Sequence, residues 1–224
     1  VLLYFLENFD TEFVLNNIEG MFSFCFYNNL KKEIILARDL AGEKPLYIQT
    51  DSNFISFSSD IKSLSSFSGY EKKINHNSLK DYLKYSYIPN PNSIFENIFK
   101  LPPGSYLTIN TNNFVSKKIF NFNDFILSKG ITYKEWWKIE DEINKKNNND
   151  LTENQILSET EYLLDQSVKK QLISDAPLGA FLSGGIDSSL IVALASKYKS
   201  DINTFTIGYD FNDYDESKYA KKIA

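Results

Sequence analysis

Apolar residues recur at Leu2, Leu3, Leu6, Phe13, Val14 and Ile18, and the spacing predicts two short helices broken at Asn8 and Asp10. From Gly20 the pattern changes. Met21 to Tyr27 is apolar on both faces, as in a buried strand, and Asn28 and Asn29 turn it into a second strand over Glu33 to Arg38. Turns at Gly42 to Pro45 and Asp51 to Asn53 separate further strands at Leu46 to Thr50 and Phe54 to Ser58, so an antiparallel meander is expected. A helix over Ser78 to Tyr85, N-capped by Ser78, comes next. Pro102, Pro103 and Gly104 then lead into an expected hairpin of Tyr106 to Ile109 and Phe114 to Ile119, turning at Thr111 to Asn113.

The stretch 121–154 reads as a linker, because Lys145, Lys146, Asn147, Asn148, Asn149 and Asp150 form a polar run poor in packing groups. Trp136 and Trp137, inside it, must still rest on something. Beyond it the period switches to that of a helix. Ser158 and Glu161 form an expected capping box, and Leu164, Val168 and Leu172 repeat on one face until Pro177 stops the run. A short strand, Ala180 to Leu182, a glycine loop, a helix from Ser188 to Tyr198 and a strand from Thr204 to Tyr209 follow. That order is the beginning of a parallel α/β sheet.

Composition narrows the chemistry. The 224 residues are 42% hydrophobic, enough to bury one or two cores, and the net charge of -5 disfavours general nucleic-acid binding. A single cysteine, Cys25, excludes an intrachain disulfide framework and fits a reducing, cytoplasmic setting. A single histidine, His76, excludes a two-histidine zinc motif, and no apolar run approaches the roughly 20 residues that span a bilayer. Val1 is not an initiator methionine, and the helical stripe of Tyr219, Ala220 and Ile223 is cut short, so the chain reads as a piece of a longer protein.

The most informative residues are Phe181 to Ser189, FLSGGIDSS. A glycine pair between a strand and a helix lets backbone N–H groups approach an anion, and the helix start adds about half a positive charge. Ser183, Ser188 and Ser189 add hydroxyl donors, while the lysine of a kinase-type phosphate loop is missing. Asp187 among phosphates is repulsive unless a cation intervenes, which makes Mg²⁺ the natural third party. On its own, an SGG turn followed by a serine cap is an ordinary strand-to-helix junction.

The whole SGGxDSS is similar to the pyrophosphate loop of N-type ATP pyrophosphatases, which cleave ATP between the α and β phosphates. PLGAFLSGGIDSSLIVALA, with TFTIGY and YDESKYA, resembles the ATP-binding half of the asparagine synthetase family. GMFSFCFYN, ILARDLAGEKPLYI and YIPNPNSIFENIFKLPPG resemble that family's glutaminase half. The resemblance implies α+β followed by α/β. Residues 1–120 would be part of an N-terminal-nucleophile (αββα) glutaminase layer, and 121–154 a linker. Residues 155–224 would start a parallel-sheet, adenine-nucleotide α-hydrolase-like domain.

It also implies a ligase that uses ATP, Mg²⁺, aspartate and glutamine, forming asparagine through β-aspartyl-AMP. Leu182 and Ile207 would contact the adenosine. Ser183, Gly184, Gly185, Asp187 and Ser188 would cradle the pyrophosphate, with Asp187 on the metal. No nucleic acid or membrane partner is implied, and a homodimer is left open. The family's cysteine nucleophile stands at the mature N-terminus, so no catalytic residue is expected within these residues, and the chain alone should be inactive. Amidation of another carboxylate, or a remnant without activity, are the competing expectations.

Other candidates have plainer roles. Cys25 reads as a buried structural thiol, His76 as a surface or capping residue, and Arg38 with Asp39 as a turn-stabilising ion pair beside Gly42 and Pro45. Asp215 and Glu216 are open between first-turn helix acids and a role near the nucleotide.

Overall fold

The structure is a computed structural model that describes residues 1–52, 54–64, 66, 72–145, 151–211 and 215–224. It divides into two compact units, Val1–Asn147 and Asn148–Ala224. In the first unit the two opening helices form as expected, α1 (Leu2–Asn8) and α2 (Thr11–Asn17), the second N-capped by the Asp10 carboxylate accepting from Glu12 N at 3.0 Å. Four strands follow: β1 (Ser23–Asn28), β2 (Glu33–Arg38), β3 (Tyr47–Thr50) and β4 (Ile55–Ser58). After α3 (Ile61–Leu64) and α4 (His76–Tyr85) come β5 (Ile98–Lys100), β6 (Ser105–Asn110), α5 (Phe122–Ile126), β7 (Ile131–Glu135) and α6 (Ile139–Lys145).

The strands do not form one meander. Among the described residues β1, β2, β6 and β7 lie side by side in one antiparallel sheet, and β4, β3 and β5 in another. The chain leaves the first sheet after β2, and the cause is local. The Arg38 guanidinium donates to the carbonyls of Lys44, Leu101 and Gly42 at 2.7–2.8 Å, while the Asp39 carboxylate accepts from the N–H groups of Phe22, Glu43 and Lys44. These two side chains therefore fix the turn by serving its backbone separately, and not as the expected ion pair. Gly42 completes it at φ +69°, where an added Cβ would meet Pro103 Cγ at 2.8 Å.

The expected hairpin also resolves differently. The neighbours of β6 are β2 and β7, and 114–119 is not a strand. Ile119 is held instead by Thr50, whose hydroxyl donates to Ile119 O at 3.0 Å and accepts from Ile119 N at 3.1 Å. The first part of the expected linker is thus structured: α5 buries Phe122 and Phe125, and β7 extends the first sheet. Trp136 stacks on Phe22. The polar run's residues 146–150, like Asn53 of the expected turn, lie outside the described residues.

Two cores result. Leu6, Val14 and Leu15 of the opening helices cover Phe26, Ile35, Ala37 and Tyr106 on one face of the first sheet. Leu36, Leu107 and Ile109 on its other face meet Ile48 and Phe99 of the second sheet. The layering is helix, sheet, sheet. Cys25 and Tyr27 are exposed, which corrects the expectation that β1 is buried on both faces. Ser78 is not the cap of α4; Asn75 is, its Oδ1 accepting from Asn77 N and Ser78 N, because α4 starts two residues earlier.

The second unit contains α7 (Glu153–Gln171), β8 (Gly179–Phe181), α8 (Ile186–Ser196), β9 (Asn203–Phe205) and α9 (Ser217–Ile223). α7 begins ahead of the expected box. Thr152 and Gln155 form the capping box, and Ser158 and Glu161 lie within the helix. Val168 packs on Leu194 and Ala195 of α8, with Leu164 and Leu172 alongside. β8 and β9 pair in parallel, Gly179 opposite Asn203 and Phe181 opposite Phe205.

Candidate functional site

The site forms where β8 gives way to α8. Beyond the paired residues the two strands stay tied: Leu182 N donates to Phe205 O at 2.9 Å and Thr206 Oγ1 to Leu182 O at 2.7 Å. Leu182, only 2% exposed, packs its side chain on Val192 and Ala220. Ser183, Gly184 and Gly185 then turn the chain into α8.

The two glycines answer different demands. Gly184 has φ +80°, and a Cβ there would lie 2.6 Å from Tyr219 Cβ and 2.7 Å from Ala220 N, so the close approach of α9 forbids a side chain. Gly185 is the N-cap of α8 with φ -72°. An added Cβ there meets nothing nearer than Ser183 Oγ at 3.4 Å. The fold has no steric need for glycine at 185, and a bare backbone at that point leaves the loop's mouth open to a ligand.

Hydroxyl groups organise the loop. Ser183 Oγ and Ser188 Oγ are 2.9 Å apart, Ser183 N donates to Ser188 Oγ at 3.2 Å, and Ser188 Oγ donates to Gly185 O at 3.3 Å. α8 has no side-chain cap, so its leading N–H groups at Ile186 and Asp187 have no partner from within the helix. Ser189 Oγ is buried with no hydrogen-bond partner among the described residues. Asp187 is exposed on the first turn. Backbone donors, hydroxyls and the helix dipole together favour an anion. The arrangement supplies donors for oxygens that gain charge as a phosphoryl bond breaks.

Beside the loop lies a cleft of about 300 Å³. Of the residues expected to bind nucleotide, Leu182, Ser183, Ser188 and Ile207 line it. Gly184, Gly185 and Asp187 belong to the loop but not to the cleft lining. Phe181, Thr206 and Tyr209, to which the sequence assigned no role in binding, also line it, as does Glu216, one of the two acids left open between helix capping and a place near the nucleotide. Strand alternation carried the signal for Phe181: if Leu182 faces inward, its neighbour faces out, and Phe181 is 82% exposed. Asp215 and Glu216 part company. Asp215 Oδ1 accepts from Ser217 N at 3.1 Å, and bonding to Ser217 holds its carboxyl below the usual range.

The remaining candidates lie in the first unit. Burial pushes the Cys25 thiol up from its ordinary value although its surface is open, which opposes a reactive thiolate. His76 is exposed at the start of α4. Burial lowers the Arg38 guanidinium from its ordinary value, with Asp39 opposing the shift. No group of three or more His, Cys, Asp or Glu is placed to hold a metal among the described residues, and no described helix is long and apolar enough to cross a membrane.

Residues 1–120 match the glutamine amidotransferase domain family, and the chain belongs to that family. Residues 159–224, which contain the glycine loop and its cleft, match the asparagine synthase family. A putative asparagine synthetase (glutamine-hydrolyzing) 2 from Methanocaldococcus jannaschii is 32% identical over 93% of this chain and 37% of the relative. Asparagine synthetase (glutamine-hydrolyzing) 1 from Bacillus subtilis is 29% identical over 93% of this chain and 30% of its own length. Asparagine synthetase (glutamine-hydrolyzing) 2 of the same organism is 32% identical over 100% of this chain and 29% of its own. The chain thus spans 29–37% of the length of these relatives.

Proposed function

We propose that the protein carrying these residues is an AMP-forming ligase that amidates aspartate to asparagine with ammonia released from glutamine. The observation that carries the reading is the loop Ser183–Ser189 at a junction between parallel strands and an uncapped helix, beside a cleft sized for part of a nucleotide. The names of the relatives and the order of the two family matches support it.

In this reading 1–120 is part of an N-terminal-nucleophile (αββα) glutaminase layer, supported by the helix–sheet–sheet order of the first unit. Residues 155–224 begin a parallel-sheet, adenine-nucleotide α-hydrolase-like domain, supported by the parallel β8–β9 pair. The boundary between them falls within 121–154, though α5 and β7 belong structurally to the first part. The low cysteine count supports a cytoplasmic setting.

Leu182 and Ile207 would bound the adenosine, and Ser183, Gly184, Gly185, Asp187 and Ser188 the phosphates. A β-carboxylate oxygen of aspartate attacks the α-phosphorus. The bond from that phosphorus to the bridging oxygen breaks, and pyrophosphate leaves with the electron pair. The loop's N–H groups and serine hydroxyls hold the oxygens that gain charge. Ammonia then attacks the acyl carbon, AMP leaves, and a proton is lost to give the amide. Asp187 offers one hard oxygen donor on an exposed turn, which fits a magnesium ion completing its shell with substrate phosphates. When bound, Mg²⁺ neutralises phosphate charge and removes the repulsion Asp187 would otherwise exert.

Calorimetric titration of ATP with magnesium tests the reading on the protein encoded by the complete reading frame, beside Asp187→Ala. Binding that the substitution abolishes, with AMP released only when aspartate is present, is the expected result. Failure of the parent protein to bind ATP overturns the assignment, and AMP release indifferent to aspartate overturns the acceptor.

A further inference from the structure

Asp215 and Glu216 stand together before α9, and only Asp215 is occupied in capping, through its bond from Ser217 N. The Glu216 side chain, on an exposed residue, has no hydrogen bond or ion pair among the described residues, and Glu216 is one of the residues lining the cleft beside the loop. Its backbone is held from two sides. Tyr219 N and Ala220 N donate to Glu216 O at 3.0 and 3.1 Å. The same turn of α9 lies against Gly184, where an added Cβ would be 2.6 Å from Tyr219 Cβ. The acid is therefore anchored to the loop's own neighbour and not to a free strap of chain.

The cleft's lining says which part of a ligand this acid would meet. Phe181, Ile207 and the ring-bearing Tyr209 line it with Thr206, whose hydroxyl donates to Leu182 O, and only Ser183 and Ser188 reach it from the loop. Asp187, the glycines and the leading N–H groups of α8, which suit phosphates and a cation, are not among the lining residues. Glu216 thus stands on the nucleoside side. A carboxylate facing phosphate oxygens is repelled, whereas one facing two adjacent hydroxyls accepts from both in charge-assisted bonds. Acids recognise ribose this way in other nucleotide folds. On these grounds, and resting on the nucleotide reading given above, we propose that Glu216 accepts hydrogen bonds from the ribose hydroxyls and sets a preference for ribonucleotides.

The test is a double-mutant cycle between protein and ligand on the protein of the complete reading frame. ATP, dATP and dideoxy-ATP are titrated calorimetrically with magnesium against the parent, Glu216→Ala and Glu216→Gln, with circular dichroism as the control for folding. The parent should bind ATP roughly tenfold or more tighter than dideoxy-ATP, the scale of a bond to a charged group. Glu216→Ala should weaken ATP to the dideoxy level while leaving dideoxy-ATP unchanged, and Glu216→Gln should fall between. Equal weakening of all three ligands makes the role structural and overturns the proposal. So does unchanged discrimination, or tighter binding of every ligand, which would mean that the carboxylate only repels phosphate. If the parent binds no ATP, the nucleotide reading falls and this proposal with it. If the parent binds ATP without the coupling, only the role of Glu216 falls.

Discussion

Replacing Gly184 and Gly185 one at a time with alanine separates what the fold requires from what a ligand requires. At Gly184 the new methyl group carries two costs. The φ of +80° costs an L residue about 1–2 kcal/mol. Overlap with α9, whose Tyr219 Cβ and Ala220 N would lie at 2.6 and 2.7 Å, forces a backbone shift costing about 1–3 kcal/mol. The sum is about 2–5 kcal/mol, a large share of the stability of a small unit. At Gly185 the φ of -72° suits any residue and the nearest atom is a serine hydroxyl at 3.4 Å. The small loss of a glycine N-cap and the gain from a stiffer unfolded chain nearly cancel, within about 1 kcal/mol. Hydrogen exchange of the 179–196 amides in increasing urea reads the difference locally, which matters because both tryptophans lie in the other unit. Gly184→Ala should lower protection there by the amount stated. Gly185→Ala should keep protection but weaken ATP roughly tenfold or more, because its methyl group fills the approach to the loop's N–H groups. Equal loss of protection in both variants, or full ATP affinity in Gly185→Ala, would refute the reasoning.

Three further outcomes follow from the geometry. Arg38→Ala leaves the carbonyls of Lys44, Leu101 and Gly42 without their donor, and should cost the first unit about 3 kcal/mol or more in urea unfolding read by tryptophan fluorescence; a cost under about 1 kcal/mol contradicts the clamp. Asp165 is held below its ordinary carboxyl value by the Tyr198 hydroxyl, with Lys197 adding to the effect. Its folded value lies below its unfolded one, so its contribution is present at neutral pH and is lost as pH falls through the folded value. Tyr198→Phe should raise the Asp165 titration midpoint seen by NMR and reduce the gap between neutral and acid stability; an unmoved midpoint rejects the link between α7 and the turn that follows α8. Cys25, with its thiol pushed up by burial, should alkylate slowly at neutral pH and faster as pH rises into the alkaline range, and Cys25→Ser should leave glutamine hydrolysis unchanged. Rapid neutral alkylation would place a thiolate there.

Local pattern carried much of this structure, and long-range choice carried the rest. The helices before Ile18, β1 to β4 and the strand–loop–helix at Ser183 were legible because period and glycine placement are properties of neighbouring residues. The partner of β2 was not, since its register with β6 joins Glu33 to Asn110 and Ala37 to Tyr106 across the sequence. The segment 114–119 alternates like a strand, but Thr50 takes its backbone groups and β7 takes the ladder. Thr152 with Gln155 and Ser158 with Glu161 satisfy the same capping rule, so composition alone cannot choose between them. At the site, the loop was readable from its residue types. Glu216 was visible only as one of two adjacent acids, and the bond from Ser217 N to Asp215 with the place of Glu216 in the cleft lining separates them.

The claim that ATP is cleaved at its α-phosphorus by an aspartate carboxylate is tested most directly with aspartate labelled by heavy oxygen in its β-carboxylate. The protein of the complete reading frame is given ATP, magnesium and glutamine or ammonia, and the products are weighed by mass spectrometry. The account predicts AMP carrying one heavy oxygen, pyrophosphate carrying none, and asparagine in equal amount. ADP with phosphate, or AMP without the label, would contradict it.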